Sequence, residues 1–202
     1  MEIFTKLTAA AVPMPYSSID TDQLIPARFM SRPRSQGYGD LLLHDRRSEP
    51  GFPLDDPAFA GARIMVARRN FGSGSSREAA VYALVDAGFR CVIAPSFGDI
   101  FAANAANNGL LPAQVSEADA EILLAALLGG RPELTIDLQC CRIGADMGFS
   151  VEPVARMKLL NGWDDFDLTL SHTSDIAAFA RRDAIDRPWA IPYPSSSPGL
   201  SS

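Results

Sequence analysis

Between Ile64 and Leu128, short apolar runs alternate with helical stretches, and that alternation leaves few folds open. Ile64 to Ala67, Cys91 to Ala94 and Leu110 to Val115 read as buried strands. Ser76 to Ala87 and Ser96 to about Asn107 read as helices, and Ser116 opens a third through Leu128. Gly88 and Gly129-Gly130 stand where the first and third should stop. Strands alternating with helices in this way argue for parallel strands joined by crossover helices. After Arg131 the pattern changes. Leu134-x-Ile136-x-Leu138 alternates with period two, and so does Phe149-x-Val151 beyond the turn residues near Gly144 and Gly148. These predict an antiparallel hairpin, with Cys140 and Cys141 in strand and pointing to opposite faces. Ile3 to Val12 reads as a first strand ended by Pro13 and Pro15. Val154 to Leu160 and Ser174 to about Ala184 read as later helices. The expectation is an α/β domain with a mixed sheet over residues 1–190, followed by a Pro/Ser/Gly-rich tail, 191–202, expected to be disordered.

The most unusual stretch is the turn between the first buried run and its helix, Ala67-Arg68-Arg69-Asn70-Phe71-Gly72-Ser73-Gly74-Ser75-Ser76-Arg77-Glu78. It lacks the third glycine of a dinucleotide loop, the Gly-Lys-Ser/Thr of a Walker loop, and the Gly-x-Ser-x-Gly of a nucleophile elbow. Backbone N–H groups at a helix start are unpaired and the helix dipole favours anions there. With Arg77 alongside, the turn suits a carboxylate or phosphate. Ser75-x-x-Glu78 is equally a capping box, and a cap uses the same donors. Ser96-x-x-Asp99 and Ser116-x-x-Asp119 repeat that spacing. Near the N-terminus, Asp20, Thr21 and Asp22 precede an apolar stretch and fit a local cap.

Phe29 to Pro57 is the least regular part, rich in proline and glycine, with Arg32, Arg34, Arg46 and Arg47. A loop this long is usually mobile or functional. His44 within it reads as a surface residue.

Bulk properties exclude several classes. A net charge of −6 over 202 residues disfavours nucleic acid. No apolar run approaches the ~20 residues of a membrane helix. No signal peptide is evident, and three cysteines, an odd number, suggest reduced thiols in the cytoplasm. Two distant histidines and no Cys-x-x-Cys offer no metal set.

Asn70-Phe71-Gly72-x-Gly74-Ser75-Ser76-Arg77-Glu78 resembles the signature of the aconitase family's swivelling domain. Ile19-Asp20-Thr21-Asp22-x-Leu24-Ile25-Pro26 resembles the small subunits of its isopropylmalate dehydratase branch. So do Val92-Ile93-Ala94-Pro95-Ser96-Phe97-x-Asp99-Ile100-Phe101, Asn107-Asn108-x-Leu110-Leu111-Pro112, and Asn161-Gly162-x-Asp164 followed by Leu168-Thr169-Leu170. The resemblance covers most of the chain, in order. It implies a three-layer β/β/α swivelling domain and a hydro-lyase that moves a hydroxyl between neighbouring carbons of a substituted malate. A related hydro-lyase acting on homoaconitate, citraconate or dimethylmalate, or a non-catalytic anion-binding domain, remains open. The resemblance further implies a heterodimer with a large subunit that carries a 4Fe-4S cluster, this chain binding no cofactor. It assigns Ser75 as the base and Arg77 as the clamp on a substrate carboxylate, helped by Ser76. It extends substrate contact to Asn70 and Gly74, and to Thr21 and Asp22. The family usually has histidine after Ser-Arg-Glu; here that position is Ala79.

Overall fold

Strand β1, Lys6–Met14, lies at the centre of a seven-stranded mixed sheet in a computed structural model that describes residues 1–130 and 133–190. After the one-turn helix α1, Thr21–Leu24, come β2, Ile64–Ala67; α2, Glu78–Asp86; β3, Cys91–Ala94; α3, Asp99–Asn107; β4, Leu111–Gln114; and α4, Glu117–Leu128. Then follow β5, Glu133–Asp137; β6, Arg142–Ile143; β7, Met147–Gly148; and three helices, α5, Pro153–Asn161, α6, Asp165–Ser171, and α7, Thr173–Asp186. The sheet order is β4-β3-β2-β1-β5-β6-β7. β1 to β4 are mutually parallel, and β5, β6 and β7 add antiparallel. The expected mixed α/β sheet with crossover helices is therefore borne out.

Successive side chains in a strand face opposite sides, and here both sides are covered. Val12, Met14, Met65, Ala67, Val92 and Ala94 pack with α2 and α3 residues such as Leu84 and Phe101. Ala11, Ile64, Val66, Cys91, Ile93 and Leu111 pack with Leu123, Leu124 and Leu127 of α4. Two-sided burial is why the central strands read as unbroken apolar runs. Helix α2 ends as Gly88 suggests. Gly88 adopts φ +97°, its N–H reaches Val85 O, and Phe89 N–H reaches Leu84 O at 3.0 Å, which together make a Schellman cap.

Several expectations are corrected. β1 runs to Met14, through Pro13. Among the described residues β5 pairs Lys6 to Ala10 and not Pro13, so that side of β1 has no described ladder there, where strand proline is tolerated. The period-two pattern ending at Leu138 outruns the real strand. Cys140 and Cys141 lie in the turn between β5 and β6, with Cys141 at φ +53°, and Phe149 and Val151 lie beyond β7. The segment from Phe29 to Pro57 is a series of short 3-10 turns that buries Tyr38, Leu41, Leu42, Leu43 and Phe52. Arg32, Arg34, Arg46 and Arg47 pair with Asp40, Asp86, Glu49 and Asp55. Asp86 at the end of α2 also accepts Tyr38 N–H at 2.8 Å, which moors the segment to that helix. His44 is exposed beside Asp45, as expected of a surface histidine.

The chain divides into two compact units, Met1–Asp164 and a second beginning at Asp165. The second holds α6 and α7, whose described residues bury none of their side chains. No described helix is long and apolar enough to cross a membrane. The expected disordered tail, 191–202, lies outside the described residues.

The three thiols differ in burial. Cys91 is buried in β3, and burial pushes its thiol well above the ordinary range. Cys140 is exposed. A thiol reagent should label Cys140 rapidly in the native protein and Cys91 only after denaturant is added. Mass mapping of the labelled peptides checks this, and native labelling of Cys91 would contradict the packing of β3.

Candidate functional site

Three loops meet at the carboxyl ends of parallel strands, the usual place for a ligand in an α/β sheet. They follow β1, β2 and β3. The first is tied to the second by Ser18 N–H to Arg69 O at 2.9 Å, Gly72 N–H to Ile19 O at 2.7 Å, and Thr21 N–H to Ser73 O at 2.9 Å. The second is tied to the third by Phe71 N–H to Ser96 O at 3.0 Å and Gly98 N–H to Phe71 O at 2.9 Å. Phe71, Phe97 and Phe101 pack against one another under the junction.

This lacing holds the serine-rich turn in an unusual backbone. Gly72 and Gly74 adopt φ +69° and +98°, a region that side chains other than glycine's avoid. At Gly72 space is also lacking, since a Cβ would stand 2.2 Å from the Phe101 ring. A small pocket opens beside the turn, between Gly72 to Ser75 and Gly98 to Phe101.

The capping boxes fare differently from their spacing. The N-cap of α2 is Arg77, and no side chain caps that helix. The Ser75 hydroxyl instead lies 3.3 Å from the Thr21 hydroxyl, and Thr21 Oγ1 also donates to Ser75 O at 3.0 Å. Ser96 does not cap α3 either. Its Oγ accepts Asn70 N–H at 2.8 Å, and Gly98 takes the N-cap position. Only Ser116 caps as expected, accepting Asp119 N–H at 3.0 Å. Asp20 is a true local cap: its carboxylate accepts Gln23 N–H at 2.8 Å.

The structure brings together Thr21, Asp22, Gly74, Ser75 and Arg77. Arg77 forms an ion pair with Asp22 across the two loops, its side chain 20% exposed against 57% for Asp22. Ser75 and Ser76 are exposed at the uncapped start of α2, where the helix dipole and free N–H groups favour negative charge. Asn70 has a supporting place. At φ +63° it donates its side-chain amide to Ser18 Oγ at 3.0 Å and so braces the first loop against the second. Ala79 is buried among the apolar residues of that face and brings no polar group to the site. Glu78 is drawn to Asn108, whose amide reaches its carboxylate at 2.9 Å. Gly98, Ile100 and Phe101 line the pocket without having been singled out as site residues. Their sequence signal is the turn after β3, whose Ser-x-x-Asp spacing predicts only a cap and whose place near a site only the family resemblance suggests.

The cysteines do not fit a cluster. Cys91 is enclosed in the sheet, Cys140 and Cys141 lie at the turn after β5, and no group of three potential ligands occurs among the described residues. What the site can do is bind a carboxylate through Arg77 and present a hydroxyl, Ser75, at a positive helix end.

The family of the aconitase C-terminal domain matches residues 1–118. The 3-isopropylmalate dehydratase small subunit of Rhodospirillum centenum is 44% identical over 202 residues, covering 95% of this chain and 100% of that protein. The protein of the same name from Parafrankia sp. is 45% identical over 183 residues, covering 89% of this chain and 94% of the relative. Among solved structures, 3-isopropylmalate dehydratase from Methanocaldococcus jannaschii matches with a TM-score of 0.64 at 22% identity, over 86% of this chain and 98% of that one. The last likeness is one of fold.

Proposed function

Since the chain belongs to the aconitase C-terminal domain family, among the small subunits of 3-isopropylmalate dehydratase, we propose that it is half of a hydro-lyase of leucine biosynthesis. The enzyme interconverts 2-isopropylmalate and 3-isopropylmalate through 2-isopropylmaleate. The other half of the heterodimer is a large subunit, to which the 4Fe-4S cluster belongs. Of the expected single domain over residues 1–190, the unit Met1–Asp164, which holds the three loops, acts as the swivelling domain, working in the cytoplasm.

Dehydration removes a hydroxyl from one carbon and a proton from its neighbour, and charge builds on the adjoining carboxylate. Ser75 Oγ takes that proton. An alkoxide is costly in water, but here a helix N-terminus and a nearby guanidinium offset its charge. Thr21 Oγ1 lies 3.3 Å away, and its single proton, now given to Ser75 O at 3.0 Å, would have to turn to Ser75 Oγ to stabilise the alkoxide. Arg77 holds the substrate carboxylate through its planar fork, in place of Asp22. Ser76 assists from the same uncapped turn, and Gly74 lets the backbone approach closely. Asn70 acts by holding the loops rather than by touching substrate. The observation that carries this reading is that Ser75 is exposed and its hydroxyl caps no helix, lying instead beside the Thr21 hydroxyl.

Reconstitution with the large subunit tests the reading. The chain alone should be colourless and inactive, and the pair should hydrate 2-isopropylmaleate. A lone chain carrying stoichiometric iron would overturn the division of labour. Turnover of citraconate, homoaconitate or dimethylmalate in preference to isopropylmalate would replace the substrate. Arg77→Lys should raise KM and lower kcat together, because it keeps charge but loses the fork. An unchanged KM would remove Arg77 from substrate binding.

A further inference from the structure

A groove of about 510 Å³ runs between α3, β4 and the turn leading into α5, lined by Phe97, Ala103, Pro112 and Val151 with Asp99 and Glu152 among them. Asp99 also lines the small pocket beside Ser75, so the groove and the serine turn are neighbouring parts of one surface. On the same stretches of chain, Ile100 and Val154 are 54% and 42% exposed. Neither Asp99 nor Glu152 has an ion-pair partner among the described residues, although Glu152 Oε2 accepts Ala155 N–H at 2.8 Å as the cap of α5. Asp99 and the remaining oxygen of Glu152 therefore present uncompensated negative charge to an incoming cation.

Resting on the function proposed above, we propose that this groove docks the large subunit and takes an apolar side chain flanked by lysine or arginine. Two arguments select that occupant. Ser75 can act only on a substrate held against the other half of the enzyme, so the partner's surface must close over the serine turn. Asp99 makes the groove the adjoining part of that surface. The chemistry of the lining then fixes what fits. Apolar walls reward a buried anchor, while two acids without basic partners repel acidic chains and attract basic ones.

The full chain and its large subunit provide the test, with affinity measured by titration calorimetry. Ala103 is exposed and outside the catalytic turn. Ala103→Arg places bulk and positive charge where a basic segment should dock. It should weaken binding at least ~10-fold, corresponding to about 1.4 kcal/mol, while kcat at saturating large subunit stays near the wild-type value. Ala125→Arg, at an exposed position on α4, should bind as the wild type does. Matching melting temperatures show that both variants fold. Wild-type affinity in Ala103→Arg would overturn the proposal. So would a self-dimer of the wild-type chain that Ala103→Arg dissolves, since the groove would then belong to a second copy. A wild-type chain that neither binds nor activates the large subunit would bring down the proposed function itself, and the docking site with it.

Discussion

Ser75→Ala, assembled with its large subunit, is expected to turn over at least ~10²-fold more slowly than the wild type with KM little changed. On the proposed mechanism, removing the hydroxyl removes the proton acceptor and leaves Arg77 in place to hold the carboxylate. The melting temperature should hardly move. Loss of a true N-cap costs about 1 kcal/mol, but the Ser75 hydroxyl bonds no N–H of α2. Steady-state kinetics beside thermal melts separate the two roles. Near-normal turnover with a lowered melting point would make Ser75 a structural residue.

The largest effect on stability is expected at Gly72→Ala. Two costs fall on one methyl group. The backbone there is at φ +69°, where a Cβ costs about 1–2 kcal/mol. The methyl would also stand 2.2 Å from the Phe101 ring, and overpacking of that kind typically costs about 1–3 kcal/mol. Relief is limited because Phe101 is itself wedged against Phe71 and Phe97. Together they predict a loss of about 3 kcal/mol, roughly 6–12 °C in Tm for a chain of this size. Differential scanning calorimetry reads it directly. A variant melting within about 2 °C of the wild type, less than 1 kcal/mol by the same scaling, would show that the ring moves aside freely.

Where a strand is buried on both faces, the sequence states it openly. Ile64 to Ala67 and Cys91 to Ala94 begin and end where the apolar runs do. Gly88 likewise marks a helix end, because a left-handed cap needs glycine and little else. The spacing Ser-x-x-Glu or Ser-x-x-Asp was a weaker guide. A hydroxyl bonds whichever partner the fold brings near. For Ser96 that was Asn70 N–H, from another loop, and for Ser75 it was Thr21. The segment from Phe29 to Pro57 left no period to read because its order consists mainly of isolated i→i+3 turns. Yet Leu41, Leu42 and Leu43 are core residues. The meeting of Asp22 with Arg77 was beyond local reasoning altogether. Sheet order creates that contact across 55 positions, and only the family resemblance pointed to it.

Strand β1 has a partner from far along the chain. Thr8 and Thr135, 127 positions apart, touch hydroxyl to hydroxyl at 2.8 Å. As the chain is synthesised, β1 to β4 and all three loops of the site exist once Gln114 has emerged. β5 comes later, so the nascent protein carries its serine turn while the edge from Lys6 to Ala10 is still bare. An unpaired edge invites pairing with other chains. The antiparallel strands supply no residue to the turn. Their contribution is to shut that edge, and a product truncated before β5 would keep the serine turn in its sequence while exposing a surface prone to aggregation.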